Sequence, residues 1–268
     1  MPAHPLPVCD LFGMPIARVD SAGLLDHMFE GVARGEGGWL VTANLDFLRR
    51  HVRDPEARAL YAEADVAVAD GMPLVWAARL QGDYLPERIA GSSLAWLIAE
   101  RAAREGRSIY FLGGEPSINE KAIAVLRARW PTISIVGTSS PHVSSPPSPE
   151  QVASLRQEVA RAEPDFLFVG MGSPKQEHVI RALRPTLPRS WMVGVGVSFS
   201  FIAGVVSRAP LWMQRAGLEW VWRLAQEPRR LARRYLVDDL PFAVSLFANV
   251  FLKRLRLGRG RPPDSLPR

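Results

Sequence analysis

Over the first 200 residues, short apolar runs alternate with longer amphipathic ones. The runs at residues 39–43, 66–69, 108–112, 133–137, 166–170 and 191–195 have the length and composition of strands. Between them, Asp54-Pro55 has the signature of a helix start, with Asp54 as cap and Pro55 in the first turn. Residues 92–105 form a helical pattern that stops at Gly106. Further helical patterns cover 116–129, 149–162 and 174–183. Helices that separate strands imply crossover connections and a mainly parallel sheet. The expected fold is α/β: a Rossmann-like, mainly parallel sheet flanked by helices. Residues 139–149, rich in Ser and Pro, read as a loop.

The pattern changes after residue 207. Residues 217–226 place Leu218, Val221, Trp222 and Ala225 on one helical face. Pro228 can start a second helix carrying Arg229, Arg230, Arg233 and Arg234. An apolar run follows at 240–252, and 13 residues are too few to span a bilayer as a helix, which needs about 20. The expected organisation is a Rossmann-like domain at 1–207, a basic helical appendage at 208–255 and a disordered tail at 256–268.

Charge sharpens this division. The 268 residues carry a net charge of +6. Residues 208–268 hold 13 Lys and Arg against 5 Asp and Glu, whereas residues 1–207 hold 20 against 22. A basic block beside Trp, Phe and Leu suits an interfacial helix on an anionic membrane. It equally describes a solvated helical hairpin packed on the α/β domain. No DNA- or RNA-binding motif accompanies it, so nucleic acid is not an expected partner. Cys9 is the single cysteine. It allows no intrachain disulfide and, with no signal-peptide pattern at the N-terminus, points to a reducing compartment.

In open parallel sheets, ligands bind beyond the carboxyl ends of the strands. The polar residues that follow the strand runs are therefore the candidates. They are Thr42 and Asn44; Asp70; Gly113 and Gly114; Gly172, Ser173, Lys175 and Gln176; and Ser198 and Ser200. Asp70 has two readings. A carboxylate at a strand end can take a proton from an attacking hydroxyl, or it can cap a helix that begins near Met72 or Pro73, and the local pattern favours the cap. The stretch VGMGSPKQE at 169–177 is a Gly-rich strand-to-helix turn that suits a phosphate or tight packing. It matches neither the dinucleotide fingerprint nor a Walker motif. Gly113-Gly114 is a similar turn. Arg88, just before Gly91-Ser92, can hold a diphosphate or make a surface ion pair. No Asp-x-Asp triplet occurs, and His4, His27, His51, His142 and His178 lack metal-ligand spacing. No metal site and no cofactor are expected.

Taken in order, seven segments resemble the WecG/TagA/CpsF family of bacterial glycosyltransferases. They are VTANLDFL, YAEADVAVADGMPLVWAARL, PERIAGSSL, FLGGEP, PDFLFVGMGSPKQE, GVGVSFSFIAGVVSRAP and WMQRAGLEWVWRLAQEPRRLARRYL, over roughly residues 10–240. The resemblance implies inverting, metal-independent transfer of a hexose unit from a UDP-sugar to a polyprenyl-diphosphate-linked sugar. It implies work as a cytoplasmic, peripheral protein on the inner face of the bacterial membrane. Asp70 matches the family's proposed base. Thr42, Asn44, Arg88 and Gln176 match active-site polar positions. The appendage is expected to contact the membrane and to supply arginines to the diphosphate, with Arg215 and Arg223 as the candidates and Arg230 and Arg233 as further ones. Ser200 stands where many relatives have aspartate, which leaves the donor between UDP-glucose and UDP-N-acetylmannosamine types and leans towards an exopolysaccharide glucosyltransferase. A non-catalytic membrane-surface binding protein with the same fold is the alternative. Assembly into a homo-oligomer stays open.

Overall fold

The computed structural model describes residues 5–258. His4 and residues 259–268, with Arg259 and Arg261, lie outside them, so the expected disordered tail falls mostly beyond the described residues. The chain opens on a hairpin of β1 (Val8–Leu11) and β2 (Met14–Ala17), with Leu11 opposite Met14. Its two turn residues, Phe12 and Gly13, both have positive φ, as a two-residue hairpin turn demands. Helix α1 (Ser21–Arg34) follows, capped by Asp20, whose Oδ1 accepts from the Gly23 N–H at 2.8 Å.

The alternation then proceeds as the pattern predicts. It runs β3 (Gly38–Ala43), α2 (Leu45–Arg53), α3 (Pro55–Tyr61), β4 (Val66–Ala69), α4 (Met72–Gln81), α5 (Gly91–Glu105), β5 (Ser108–Gly113), α6 (Pro116–Arg129) and β6 (Ser134–Ser139). It continues through α7 (Pro149–Ala162), β7 (Phe166–Gly170), α8 (Lys175–Leu183), β8 (Trp191–Gly194) and α9 (Ser198–Ile202). The six strands after the hairpin form one parallel sheet in the order β4-β3-β8-β7-β5-β6.

The strands read as continuous apolar runs because both faces of the sheet are covered. In β7, Leu167 and Val169 join the core on one face, and Phe166 and Phe168 the core on the other. Helices α2, α3, α4, α7 and α8 pack on the first face; α1, α5, α6 and α9 pack on the second. Strands β3 and β8 are neighbours, yet β3 leads into α2 on one face and β8 into α9 on the other. Opposite departures from adjacent strands open a crevice at their carboxyl ends.

β6 runs one residue later at its start and two later at its end than the apolar pattern indicates. It is an edge strand, largely half-exposed, and its register on β5 shifts between Ile109 and Tyr110. Gly137 sits where a Cβ would come within 2.3 Å of the Tyr110 ring, so the strand needs glycine there.

Beyond residue 207 lie α10 (Leu211–Arg215), α11 (Glu219–Gln226), α12 (Pro228–Ala232), a π-helical stretch (Arg233–Asp239) and α13 (Leu240–Gly258). Helix α13 packs on α4 and buries Phe242, Leu246 and Val250 at spacings of four. The 13-residue apolar run therefore sits inside a longer helix. The stretch Arg233–Leu252, 20 residues at mean hydropathy 1.4 with 22% of it buried, is long and apolar enough to cross a membrane by length and composition.

Candidate active site

Strand ends and helix starts meet in one cleft of about 430 Å³. At the end of β3, Thr42 lies under the start of α5, where a Cβ on Gly91 would come within 3.0 Å of Thr42 Oγ1. Glycine lets the helix close on the strand. Asn44 caps α2, its Oδ1 accepting from the Asp46 and Phe47 N–H groups at 3.1 and 3.3 Å. At the end of β4, the Asp70 N–H donates to the Ala43 carbonyl at 2.7 Å and so continues the ladder.

The side chain of Asp70 does not cap α4, whose cap position is Gly71 with no side-chain hydrogen bond. Instead Oδ2 accepts from the Gly91 N–H of α5 at 3.2 Å. Burial pushes the Asp70 carboxyl up to about 6; Arg88, the Gly91 N–H and Arg223 pull it down, and Glu219 pushes it further up. Desolvation wins over three favourable partners because the group sits at the floor of a low-dielectric cleft.

The opposite wall comes from the turns after β7 and β8. Gln176 is buried; its Oε1 accepts from the Gly196 N–H at 3.2 Å, and its Nε2 donates to Glu177 Oε1 at 2.8 Å. A Cβ on Gly194 would lie 2.5 Å from Gln176 Nε2, so glycine makes room for the amide that holds this turn. Burial raises the Glu177 carboxyl above its ordinary range.

The appendage closes the cleft from outside, through two ionic groups. Arg88 Nη1 meets Glu219 Oε2 at 3.0 Å, and Arg208 Nε approaches the other Glu219 oxygen at 3.6 Å while Arg208 Nη1 donates to Ser93 Oγ at 2.8 Å. The second group joins α2 to the π-helical stretch. Asp46, 1% exposed, pairs with Arg49, with Arg50 at 2.9 Å and with Arg234 at 3.5 Å. Asp239 meets Arg49 at 3.0 Å and Arg234 at 3.6 Å. Arg234 Nη2 also reaches Asn44 Oδ1 at 3.4 Å.

Of the residues singled out from sequence, Thr42, Asn44, Asp70, Arg88, Gly172, Ser173, Gln176, Ser198 and Arg223 line the cleft. The structure does not bring Gly113, Gly114, Lys175, Ser200 or Arg215 to its lining. β5 lies two strands beyond β8, away from the crevice. Gly113 and Gly114 take φ of 91° and 73° in a packed turn, where a Cβ would meet Met171 at 2.7 Å and Asn119 at 2.6 Å. Neither position has room for a side chain. At the start of α8 it is Gln176 that faces the cleft, and Lys175 is half-buried beside it. In α9, Ser198 and Phe201 take the lining positions, which leaves Ser200 half-buried and off the lining. Arg215 and Arg233 are exposed, and the Arg230 side chain lies outside what is described. Sequence reasoning missed Asp46, Glu219, Arg234 and Asp239. The only local signal was the juxtaposition of Arg233-Arg234 with Asp238-Asp239.

The cleft thus holds a carboxyl, Asp70, pushed up to about 6, arginines from two parts of the chain, and a helix N-terminus. That combination suits removal of a proton at one atom and stabilisation of an anionic leaving group close by. The family model for glycosyl transferases of the WecG/TagA/CpsF family matches residues 9–256, a span that includes every residue of this cleft; the chain belongs to that family and is a glycosyltransferase.

Proposed function

We propose that the protein moves a hexose-type sugar, of the glucose or N-acetylmannosamine class, from a UDP-sugar to a polyprenyl-diphosphate-linked sugar. The reaction is inverting and metal-independent, and it serves exopolysaccharide, capsule or cell-wall polymer synthesis at the inner face of the cytoplasmic membrane. The observation that carries the reading is Asp70, a carboxyl pushed up to about 6 at the floor of a cleft edged by Arg88 and Arg223.

Ionised Asp70 takes the proton of the acceptor hydroxyl as that oxygen bonds to the anomeric carbon of the donor. The bond from that carbon to the UDP oxygen breaks, and UDP leaves with the electron pair. One displacement inverts the anomeric configuration. Charge grows on the departing diphosphate, where Arg88 and the amino end of α5 are close enough to the base to share it. Arginine forks match the geometry of phosphate oxygens. The polyprenyl chain resists leaving the bilayer, at about 0.8 kcal/mol per methylene. The enzyme must therefore reach the lipid, and the appendage carries the means. Among the described residues, exposed large apolar side chains concentrate there, including Leu211, Trp212, Val237 and Val244, each at least 64% exposed.

The test is a panel of UDP-sugars offered with a polyprenyl-diphosphate monosaccharide, read by UDP release and product mass. Transfer of one hexose with inverted linkage is expected. Membrane binding without UDP release from any donor would replace this reading with that of a non-catalytic binding protein.

A further inference from the structure

The cleft has two chemically distinct halves. The inner half is polar and centres on Asp70. The outer half is walled by Met72 and Trp76 from α4, Trp220 from α11, and Leu240, Ala243 and Phe247 from α13. We infer that this outer half is a trough for the isoprenoid chain of the lipid acceptor, which enters over Leu240 and runs toward Asp70; the inference rests on the function proposed above.

Helix α13 shows three faces. Phe242, Leu246 and Val250 go into the core. Leu240, Ala243 and Phe247, at spacings of three and four, line the open trough over a length of about 10 Å. Val237, Leu240 and Val244 form an exposed stripe, at 64%, 48% and 64% exposure. Leu240 belongs to both the trough and the stripe. Leu240 therefore joins the exposed apolar stripe of the appendage to the apolar lining of the cleft, and Arg234 and Asp239 line the cleft beside this path. A path of this kind exposes hydrocarbon to water when empty, and a hydrocarbon ligand relieves that cost.

The polar groups beside the trough favour a hydrocarbon with an anionic end. Tyr235 packs edge-on against Trp220, with ring centroids 6.1 Å apart, while its neighbour Arg234 reaches Asn44 in the inner half. Arg223, on the same helix as Trp220, also faces the cleft. Cations thus stand where the apolar wall gives way to the polar floor. An isoprenoid in the trough puts its diphosphate at these guanidinium groups, and the sugar beyond the diphosphate lies towards Asp70.

The test compares two acceptors with the same diphosphate-sugar head, one on a long polyprenyl chain and one on a short alkyl chain, with the full-length protein in detergent. Ala243→Trp fills the trough from within, and Leu240→Glu places a charge at its lip, at a position exposed enough to leave folding intact. The ratio of kcat/KM for the long over the short acceptor is expected to fall tenfold or more in both variants. An unchanged ratio overturns the trough, including the case where both acceptors lose equally because the aromatic wall stacks on the sugar. Absence of UDP release by the unaltered protein with either acceptor overturns the proposed function itself and is distinguishable from that result.

Discussion

The carboxylate of Asp70 accepts its hydrogen bond from the backbone N–H of Gly91, 3.2 Å away, and so serves a helix that starts 21 residues later. The helix directly after Asp70 is left with no side-chain cap. This exchange places the carboxylate between two strand ends, with the positive end of α5 on one side and open cleft on the other. A cap on α4 would keep the same oxygen occupied near its own backbone. Held by a single N–H at 3.2 Å, it keeps lone pairs for a substrate proton.

With Asp70 as the proposed base, its carboxyl, pushed up to about 6, should set the acid limb of the pH profile. kcat/KM is expected to fall tenfold per pH unit below about pH 6, as Asp70 takes up a proton. Asp70→Asn should lower kcat by roughly 10²- to 10⁴-fold. The same shift acts on stability. A carboxyl raised from 3.8 to about 6 by folding makes no difference below pH 3.8 and disfavours the folded state increasingly up to pH 6. The melting temperature of Asp70→Asn relative to the natural protein should therefore rise between pH 4 and pH 6 and level off above. A variant that keeps full turnover would remove Asp70 from the role of base.

The limb should move when the neighbours change. Arg88 is the strongest charge holding the Asp70 carboxyl down, and Glu219 pushes it up. Arg88→Ala should shift the acid limb to higher pH, and Glu219→Gln should shift it to lower pH. Each is measured as the pH at which kcat/KM is half its plateau. Shifts of the same sign for both variants would show that the limb reports some other group.

The core strands were legible because β3, β4, β5, β7 and β8 are covered on both faces and so carry unbroken apolar runs. The hairpin was not. Its four-residue strands turn Asp10 and Pro15 outward and bury Cys9, Leu11, Met14 and Ile16, which leaves no run to see. The polar residues after β3 and β4 could be placed, since parallel topology puts strand ends on one edge. Which strand ends meet was beyond the pattern, because strand order is set by tertiary packing. Gly113-Gly114 has the same appearance as Gly172 but follows a strand two places from the crevice. Glu219 and Arg234 were invisible for a related reason: their partners Arg88 and Asn44 lie 131 and 190 residues away.

The ionic group between α2 and the appendage should respond unequally to loss of its two acids. Asp46 is 1% exposed and faces Arg49, Arg50 and Arg234. Asp46→Ala removes the carboxylate that Arg50 pairs with and leaves Arg49 and Arg234 to Asp239 alone, and a loss of roughly 3–5 kcal/mol is expected. Burial and the nearby Asp46 already hold the Asp239 carboxyl above its ordinary range, so the fold pays for its charge. Asp239→Asn should therefore cost about 1 kcal/mol or less at pH 7. Urea midpoints of the two variants in the same buffer decide this. Equal losses would mean that the two carboxylates share the arginines evenly.

The exposed apolar side chains of the appendage give the last prediction. Trp212 on α10 and Val237 in the π-helical stretch are each 64% exposed, with Leu211 and Leu236 beside them. Full burial of such a side chain is worth about 1.5–3 kcal/mol, so partial insertion into a bilayer contributes about 1 kcal/mol each. Trp212→Ser and Val237→Ser should each weaken binding to anionic vesicles roughly fivefold, and the double variant roughly 25-fold. Arginines near the surface add about 1 kcal/mol each. Their share should fade as salt shortens the Debye length, while the apolar share persists. Vesicle sedimentation at low and high salt separates the two. Removal of residues 208–268 takes away both shares, together with Glu219, Arg223 and Arg234 from the cleft wall, and should abolish vesicle binding and transfer to a lipid acceptor alike. Sedimentation of the double serine variant at the natural level would show that this apolar face does not meet the membrane.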